Sequence, residues 1–303
     1  MRLLLTGATG LIGKHVLERL VQSGHTVRVL ALPATVEQVP HHRRVKVSAG
    51  GLEDQRLLDK AAQGVSIVYH LAGLVPGCPP EDLIRVNVNG TRNLLRASLS
   101  ARVRRFVFIS STAVYAPPDF LVERNIDESH PLRKKADGYL KHYAQSKIGA
   151  EKLILHCHHK FGLGYSMIRA PGVYGPQAKW IKQLLPTLLG RPEMTTAPMA
   201  NLSINWVHVR DVTNAVMLAG THSMALNNIF NVAGGEAFSL REMSEGVWKH
   251  LTNGAQKAFP ALSPRLAGRT VWYDFSKARA LLGYIPRVKK SEGFAEIAAF
   301  ITS

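Results

Sequence analysis

Tyr143 and Lys147 stand four residues apart in the stretch HYAQSKIGAEKL, residues 142–153. On a helix, side chains at that spacing share one face, with Cβ atoms roughly 5 to 6 Å apart. A free tyrosine has a pKa of about 10 and is a poor base at neutral pH. A neighbouring ammonium favours the phenolate, so the pair can move a proton to or from a carbonyl oxygen. Two residues on a solvated face fit the same spacing, and the pair alone decides nothing. Two further stretches bear on it. FVFISSTAVYA, residues 106–116, ends an apolar strand with Ser110, Ser111 and Thr112, and a hydroxyl there can hold a substrate oxygen. LLLTGATGLIGKHVLERLVQSG, residues 3–24, sets Gly7, Gly10 and Gly13 between a strand and an amphipathic helix. Such glycines let the backbone approach a pyrophosphate, which then rests on the helix N-terminus. A dinucleotide loop, a strand-end hydroxyl and a Tyr–Lys helix are the three parts that a hydride-transfer site needs.

The elements that would position these residues alternate along the chain. RLLLTG, HTVRVLAL, RVKVSAG, VSIVYHLAG, RRFVFISS and GYSMIRAP are apolar, β-branched runs separated by helix-patterned segments. That alternation predicts an α/β fold, a Rossmann-type doubly wound parallel sheet with helices on both faces. Near-continuous apolarity fits strands buried on both sides. After Pro171 the pattern loosens into a stretch punctuated by Gly and Pro, with a short helix at about 178–190. NWVHV and NNIFNVAG are strand-like again, and a capping box from Ser239 to Glu242 opens a further helix. The expected division is a dinucleotide-binding domain over 1–171, with 205–233 returning to it, and a smaller C-terminal substrate-binding lobe made of 172–204 and 234–303.

At 303 residues and 46% hydrophobic content the chain can bury a large core. Two cysteines, Cys78 and Cys157, are too few for a disulfide framework, which predicts a cytoplasmic protein. HCHHK, residues 156–160, has metal-ligand residue types, but it continues a helix whose outer face would carry the imidazoles, and no metal is expected. No apolar run approaches the ~20 residues that span a membrane. Net charge is +17, spread over short patches such as HHRRVK at 41–46, ARVRR at 101–105 and RKK at 133–135. These lack interleaved aromatics and read as solvated faces rather than a nucleic-acid motif.

Taken in order, these motifs resemble the extended short-chain dehydrogenase/reductase family, the NAD(P)-dependent epimerase/dehydratase group. TGATGLIG, YHLAG, NVNGTRNLL, SSTAVY, YAQSK, IRAPGVYGP, VHVRDV, NNIFNVAG and DFSKARALLGYIPR carry the resemblance over nearly the whole chain. It implies that Ser111, Tyr143 and Lys147 are catalytic. It also implies cofactor contacts at Gly7, Thr9, Gly10, Leu11, Ile12 and Gly13, at Leu32, Leu52, Leu71, Ala72, Gly73 and Asn87, and at Pro171 and Val173 as well as Tyr143 and Lys147. A homodimer through helices at about 86–100 and 140–160 is implied as well. The departures narrow the substrate. Thr112 and Ala113 stand where sugar-nucleotide dehydratases carry Asp-Glu, and Gly172 stands where many sugar-nucleotide enzymes carry Asn. Gly51 replaces an Asp that usually contacts adenine. The expected activity is hydride transfer between a nicotinamide and a ketone or secondary alcohol of a small non-nucleotide substrate. A nucleotide-sugar epimerase with tightly held NAD is the alternative, and a non-catalytic cofactor-sensing or RNA-binding relative is a third. NADP is the expected cofactor, with NAD as its alternative. Leu32 supplies neither the acid that selects NAD nor the Arg that selects NADP, and Arg43 or Arg44 is expected within reach of a 2′-phosphate.

Overall fold

The computed structural model describes residues 1–117, 125–134, 140–197, 200–254 and 270–302. Residues 118–124, 135–139, 198–199, 255–269 and 303 lie outside the described residues. Lys135 of the RKK patch is among them.

In chain order the strands are β1 (Arg2–Thr6), β2 (Thr26–Ala31), β3 (Val45–Ala49), β4 (Ile67–His70), β5 (Arg105–Ser111), β6 (Asn125–Ile126), β7 (Tyr165–Ala170), β8 (Val173–Tyr174), β9 (Ser203–Ile204), β10 (Val207–His208), β11 (Asn228–Asn231) and β12 (Thr270–Tyr273). The α-helices are α1 (Leu11–Gln22), α2 (Gln55–Ala62), α3 (Pro80–Leu83), α4 (Thr91–Ser100), α5 (Lys141–Phe161), α6 (Lys179–Gly190), α7 (Val209–Thr221), α8 (Leu240–Leu251), α9 (Ser276–Leu282) and α10 (Lys290–Thr302). Seven strands form one parallel sheet in the order β11-β7-β5-β4-β1-β2-β3. The chain runs outward from β1 to β3 and then crosses back to β4. That reversal opens a crevice at the carboxyl ends of β1 and β4, where sheets of this kind bind ligands.

Burial explains the apolar runs. Every residue of β4 and β7 is buried, as are Leu3, Leu4 and Leu5 of β1, whereas the edge strand β3 exposes Lys46 and Val47. Successive side chains alternate between two layers. Leu3 and Leu5 pack with Val16 and Leu20 of α1 and with Val212 and Val216 of α7. Leu4 and Val68 pack with Leu58, Leu94 and Ile154 on the other face. The returning segment adds β11 beside β7 and lays α7 on the sheet. Within 234–303, Phe275, Ala278, Leu282 and Tyr284 pack into the first of these layers, and the Tyr284 hydroxyl donates to Ala233 O at 2.9 Å.

A separate cluster joins α6, α8 and α10 through Ile181, Leu185, Met243, Val247, Phe294 and Ile297. The capping box that opens α8 is formed: Glu242 N donates to the Ser239 hydroxyl at 3.1 Å, and Ser239 N donates to the Glu242 carboxylate at 2.8 Å. Two small sheets, β10-β8 and β6-β12-β9, tie this lobe to the carboxyl edge of the large sheet. Among the described residues no helix is long and apolar enough to cross a membrane. No group of three or more His, Cys, Asp or Glu among them could hold a metal ion.

Candidate active site

The glycine turn between β1 and α1 is shaped by contact. Gly7 has φ +77°, and a Cβ there would lie 2.5 Å from Ala72 N. A Cβ on Gly13 would overlap Gly7 O. Larger residues are therefore excluded at both points, and the loop lies flat against the end of β4. Gly10 caps α1 with no side chain on the free N–H groups, and no acid occupies the first turn. These are the features of a cradle for a pyrophosphate. Thr9, Leu11 and Ile12 belong to the same turn, and Leu71, Ala72 and Gly73 follow β4 beside it. Pro171 and Val173 follow β7, and Leu32 directly follows β2 with its side chain exposed. Leu52 is at the same edge, but its side chain is buried against Gly90. The residues present fit a dinucleotide.

Asn87 lies in a π-helical turn, Ile84–Gly90, of the kind often found at functional sites. Its amide accepts from Leu74 N at 2.7 Å and donates to Leu74 O at 3.1 Å and to the Ser146 hydroxyl at 2.9 Å. Ser146 donates in turn to Tyr143 O at 2.8 Å. One buried side chain thereby fixes the loop after β4 against the first turns of α5. Beneath it, Thr91 donates to Asn87 O, so its oxygen accepts from His70 Nε2, and His70 Nδ1 accepts from Thr6. Burial first, and then the Lys147 charge, push His70 down to about 3. It serves as a neutral brace between β1, β4 and α4.

Tyr143, Lys147 and Ser111 come together at the carboxyl end of β5. Ser111 is hydrogen-bonded to the Tyr143 side chain and accepts from Ala113 N at 3.1 Å. Lys147 is 5% exposed and donates to Ile109 O at 3.0 Å. Its ammonium stands 5.9 Å from the Tyr143 ring centre and 4.9 Å from that of Phe108. Burial pushes the Tyr143 phenol up to about 12, against the Ser111 hydrogen bond, which lowers it. From the sequence the ammonium was expected to favour a phenolate. In the folded protein desolvation outweighs that, and the phenol stays protonated. Burial also pushes Lys147 down to about 8, opposed by the charge of Glu151 one turn further along α5. The arrangement can hold a carbonyl oxygen between two hydroxyls and deliver a proton from one of them.

Sequence reasoning missed the support under this trio. Glu151 is buried and receives two hydrogen bonds from Arg169 of β7, at 3.0 and 2.7 Å, and one from Ser110 at 2.5 Å. Arg169 also donates to the Tyr115 hydroxyl at 3.2 Å, and Tyr115 donates to Asn231 at 2.6 Å. An acid four residues beyond Lys147 and a lone Arg inside an apolar strand were the available signals. Glu53 was missed as well. A Cβ on Gly51 would overlap its carboxylate, so an acid stands beside the position where the resemblance led one to look for Asp.

One expectation is overturned. Arg43 and Arg44 immediately precede β3, which runs parallel to β2, so they lie at the amino edge of the sheet. Arg44 donates to Gly24 O at 2.9 Å, and Arg43 lines a cavity with Arg2, Thr26 and Arg28. Leu32 is six strand positions away, roughly 20 Å. Neither arginine reaches a 2′-phosphate bound at the carboxyl edge.

Residues 3–233 match the NAD dependent epimerase/dehydratase family. The chain belongs to that family. It is an NAD(P)-dependent enzyme of the extended short-chain dehydrogenase/reductase type. A Stigmatella aurantiaca protein, 4-hydroxy-2-methyl-3-oxo-4-farnesyl-3,4-dihydroquinoline-1-oxide ketoreductase, is 26% identical, with 97% of this chain and 94% of that one covered. A UDP-glucose 4-epimerase of Halalkalibacterium halodurans is 27% identical, with 98% and 94% covered. Among solved structures, a UDP-glucose 4-epimerase of Thermotoga maritima matches the fold with a TM-score of 0.81 at 22% identity, covering 100% and 99% of the two chains.

Proposed function

We propose that this member of the family reduces a ketone, or oxidises the matching secondary alcohol, on a small substrate that carries no nucleotide. The observation that carries the reading is the trio itself: Ser111 bonded to Tyr143, with Lys147 one turn below, beside a glycine cradle that fits a dinucleotide. A bound nicotinamide supplies or accepts hydride there. Ser111 holds the substrate oxygen, and Tyr143, kept protonated by burial, gives it a proton. Lys147 steadies the phenol electrostatically and can turn to a ribose hydroxyl. Asn87 and Ser146 hold the backbone that presents Tyr143. Thr112 and Ala113 provide no acid for dehydration, which argues for simple reduction. The match to a ketoreductase over nearly the full length of both chains is consistent with this.

NADP is the proposed cofactor, because Leu32 offers no carboxylate to repel a 2′-phosphate. Glu53 is proposed to take the adenine amino group. Cys78 and Cys157 are both free thiols, which suits a cytoplasmic setting. A homodimer through α4 and α5 is the proposed assembly. The test of the activity is NADPH consumption with a panel of ketones, scored against conversion of UDP-glucose. Stoichiometric loss of NADPH with a ketone is expected. Co-purified NAD that is not consumed, together with interconversion of UDP-sugars, would establish the epimerase instead.

A further inference from the structure

At the amino edge of the sheet a cavity of about 360 Å³ is lined by four cations, Arg2, Arg28, Arg43 and Lys46, together with Leu3, Thr26 and Val65. Strand register brings the cations together. Arg28 of β2 is opposite Lys46 of β3 and Leu4 of β1, and Thr26, two positions before Arg28, is opposite Arg2. Positions two apart on a strand share a face, so Arg2, Arg28 and Lys46 stand on the side of the sheet where Leu4 meets α2. Arg28 is half-buried and held in place: its Nη1 donates to Lys60 O at 2.8 Å, Ala61 O at 2.5 Å and Gln63 O at 3.3 Å. All three bonds fall on one nitrogen, and among the described residues Nε and Nη2 of Arg28 have no partner. Arg2 lies beside the same turn, since a Cβ on Gly64 would stand 3.1 Å from its Nη1. Arg2, Arg43 and Lys46 are exposed. Among the described residues no Asp or Glu lines the cavity or forms an ion pair with any of the four. Neighbouring strands run about 4.8 Å apart, so Arg28 and Lys46 repel each other with no carboxylate to offset them.

We infer that this cavity is a binding site for a compact oligophosphate, a diphosphate or triphosphate group, separate from the catalytic site at the opposite edge of the sheet. Four positive charges converging from three strands match the three or four negative charges of such a group. Guanidinium forks donate to phosphate oxygens in pairs, and Arg28, already fixed by the end of α2, presents one such fork without further ordering. The volume is that of a small-molecule site. A nucleic acid is a poorer fit, because no aromatic side chain lines the cavity to stack a base. The inference does not depend on which substrate the catalytic trio reduces.

The test is calorimetric titration with sodium triphosphate, ATP and inorganic phosphate, in magnesium-free buffer at about 0.15 M salt. The protein is first saturated with NAD, so that the cradle after β1 is filled. Triphosphate should bind at one site per chain, about tenfold or more tighter than phosphate. The double variant Arg43→Gln, Lys46→Gln changes two exposed side chains and should weaken triphosphate about tenfold or more. Arg2→Gln, on a different strand, should weaken it several-fold by itself. The double variant Arg96→Gln, Lys179→Gln removes the same charge from exposed positions on α4 and α6 and should leave the dissociation constant within about twofold of wild type. Equal losses in the two double variants would show attraction to net charge alone and overturn the inference. Wild-type affinity for triphosphate no greater than for phosphate, or undiminished affinity in Arg43→Gln, Lys46→Gln, overturns it as well. Within a positive result, ATP no tighter than triphosphate supports a free oligophosphate as the ligand, and ATP about tenfold tighter supports the phosphate chain of a nucleotide.

Discussion

In the proposed reaction Tyr143 is the residue on which the chemistry turns, because it alone in the trio would give a proton to a carbonyl oxygen while Ser111 holds it. Tyr143→Phe keeps the ring and removes the hydroxyl. Turnover should fall by roughly 10² to 10⁴, with the dissociation constant for NADPH nearly unchanged. Lys147→Met should weaken both. The pH profile separates their roles. Tyr143 is pushed up to about 12 and stays protonated across the working range, whereas Lys147, pushed down to about 8, loses its charge as pH rises through that value. For ketone reduction, kcat/KM should be level near neutrality and fall by one proton near pH 8. A profile flat to well above that would remove Lys147 from the account. The placement of both residues on one helix was legible in the sequence because their relation is local, four places apart. The protonation state was not legible, since burial of the phenol depends on the loop after β4 and on the Asn87 clamp, which the chain brings in from 56 positions away.

At the scale of elements, α5 and β7 are joined by the buried Glu151–Arg169 pair, and the same glutamate raises the pKa of Lys147. Removing one partner leaves a charge with nothing to balance it. Glu151→Gln should cost about 3 to 5 kcal/mol in urea unfolding. It should also move the Lys147 limb of the pH profile to lower pH, because the favourable carboxylate is gone. A merely structural role would lower stability and leave the limb in place. The strand and helix order could be read from apolar periodicity, and the α8 capping box from two residue types at fixed spacing. The pairing of Glu151 with Arg169 could not be read. It joins segments whose meeting is set by the sheet order and not by any local pattern. Strand direction also undid the placement of Arg43 and Arg44, which lie near Leu32 in sequence and at the opposite edge in space.

Across the whole molecule the +17 charge is partly spent on helix ends. In a parallel sheet the helices finish at the amino edge, where their free carbonyls favour cations. Arg28 donates to Lys60 O and Ala61 O in the last turn of α2, Arg44 to Gly24 O, and Arg105 to Ala219 O and His222 O. That edge is more than a Debye length, about 8 Å at physiological salt, from the cofactor cradle. The Arg43→Ser, Arg44→Ser double variant should therefore keep the ratio of NADPH to NADH dissociation constants within about twofold of wild type at 0.15 M salt. A collapse of that ratio would restore the arginines to cofactor selection. The central claim is that this site passes hydride from a nicotinamide to a ketone carbon under proton donation by Tyr143. Its most direct measurement is reduction of a ketone with NADPH deuterated at both C4 positions, followed by mass analysis of the alcohol. Deuterium on the carbinol carbon with the wild type, and its near-absence over the same time with Tyr143→Phe, is the predicted result. Unlabelled alcohol, or unchanged NADPH while a UDP-sugar is interconverted, would contradict it.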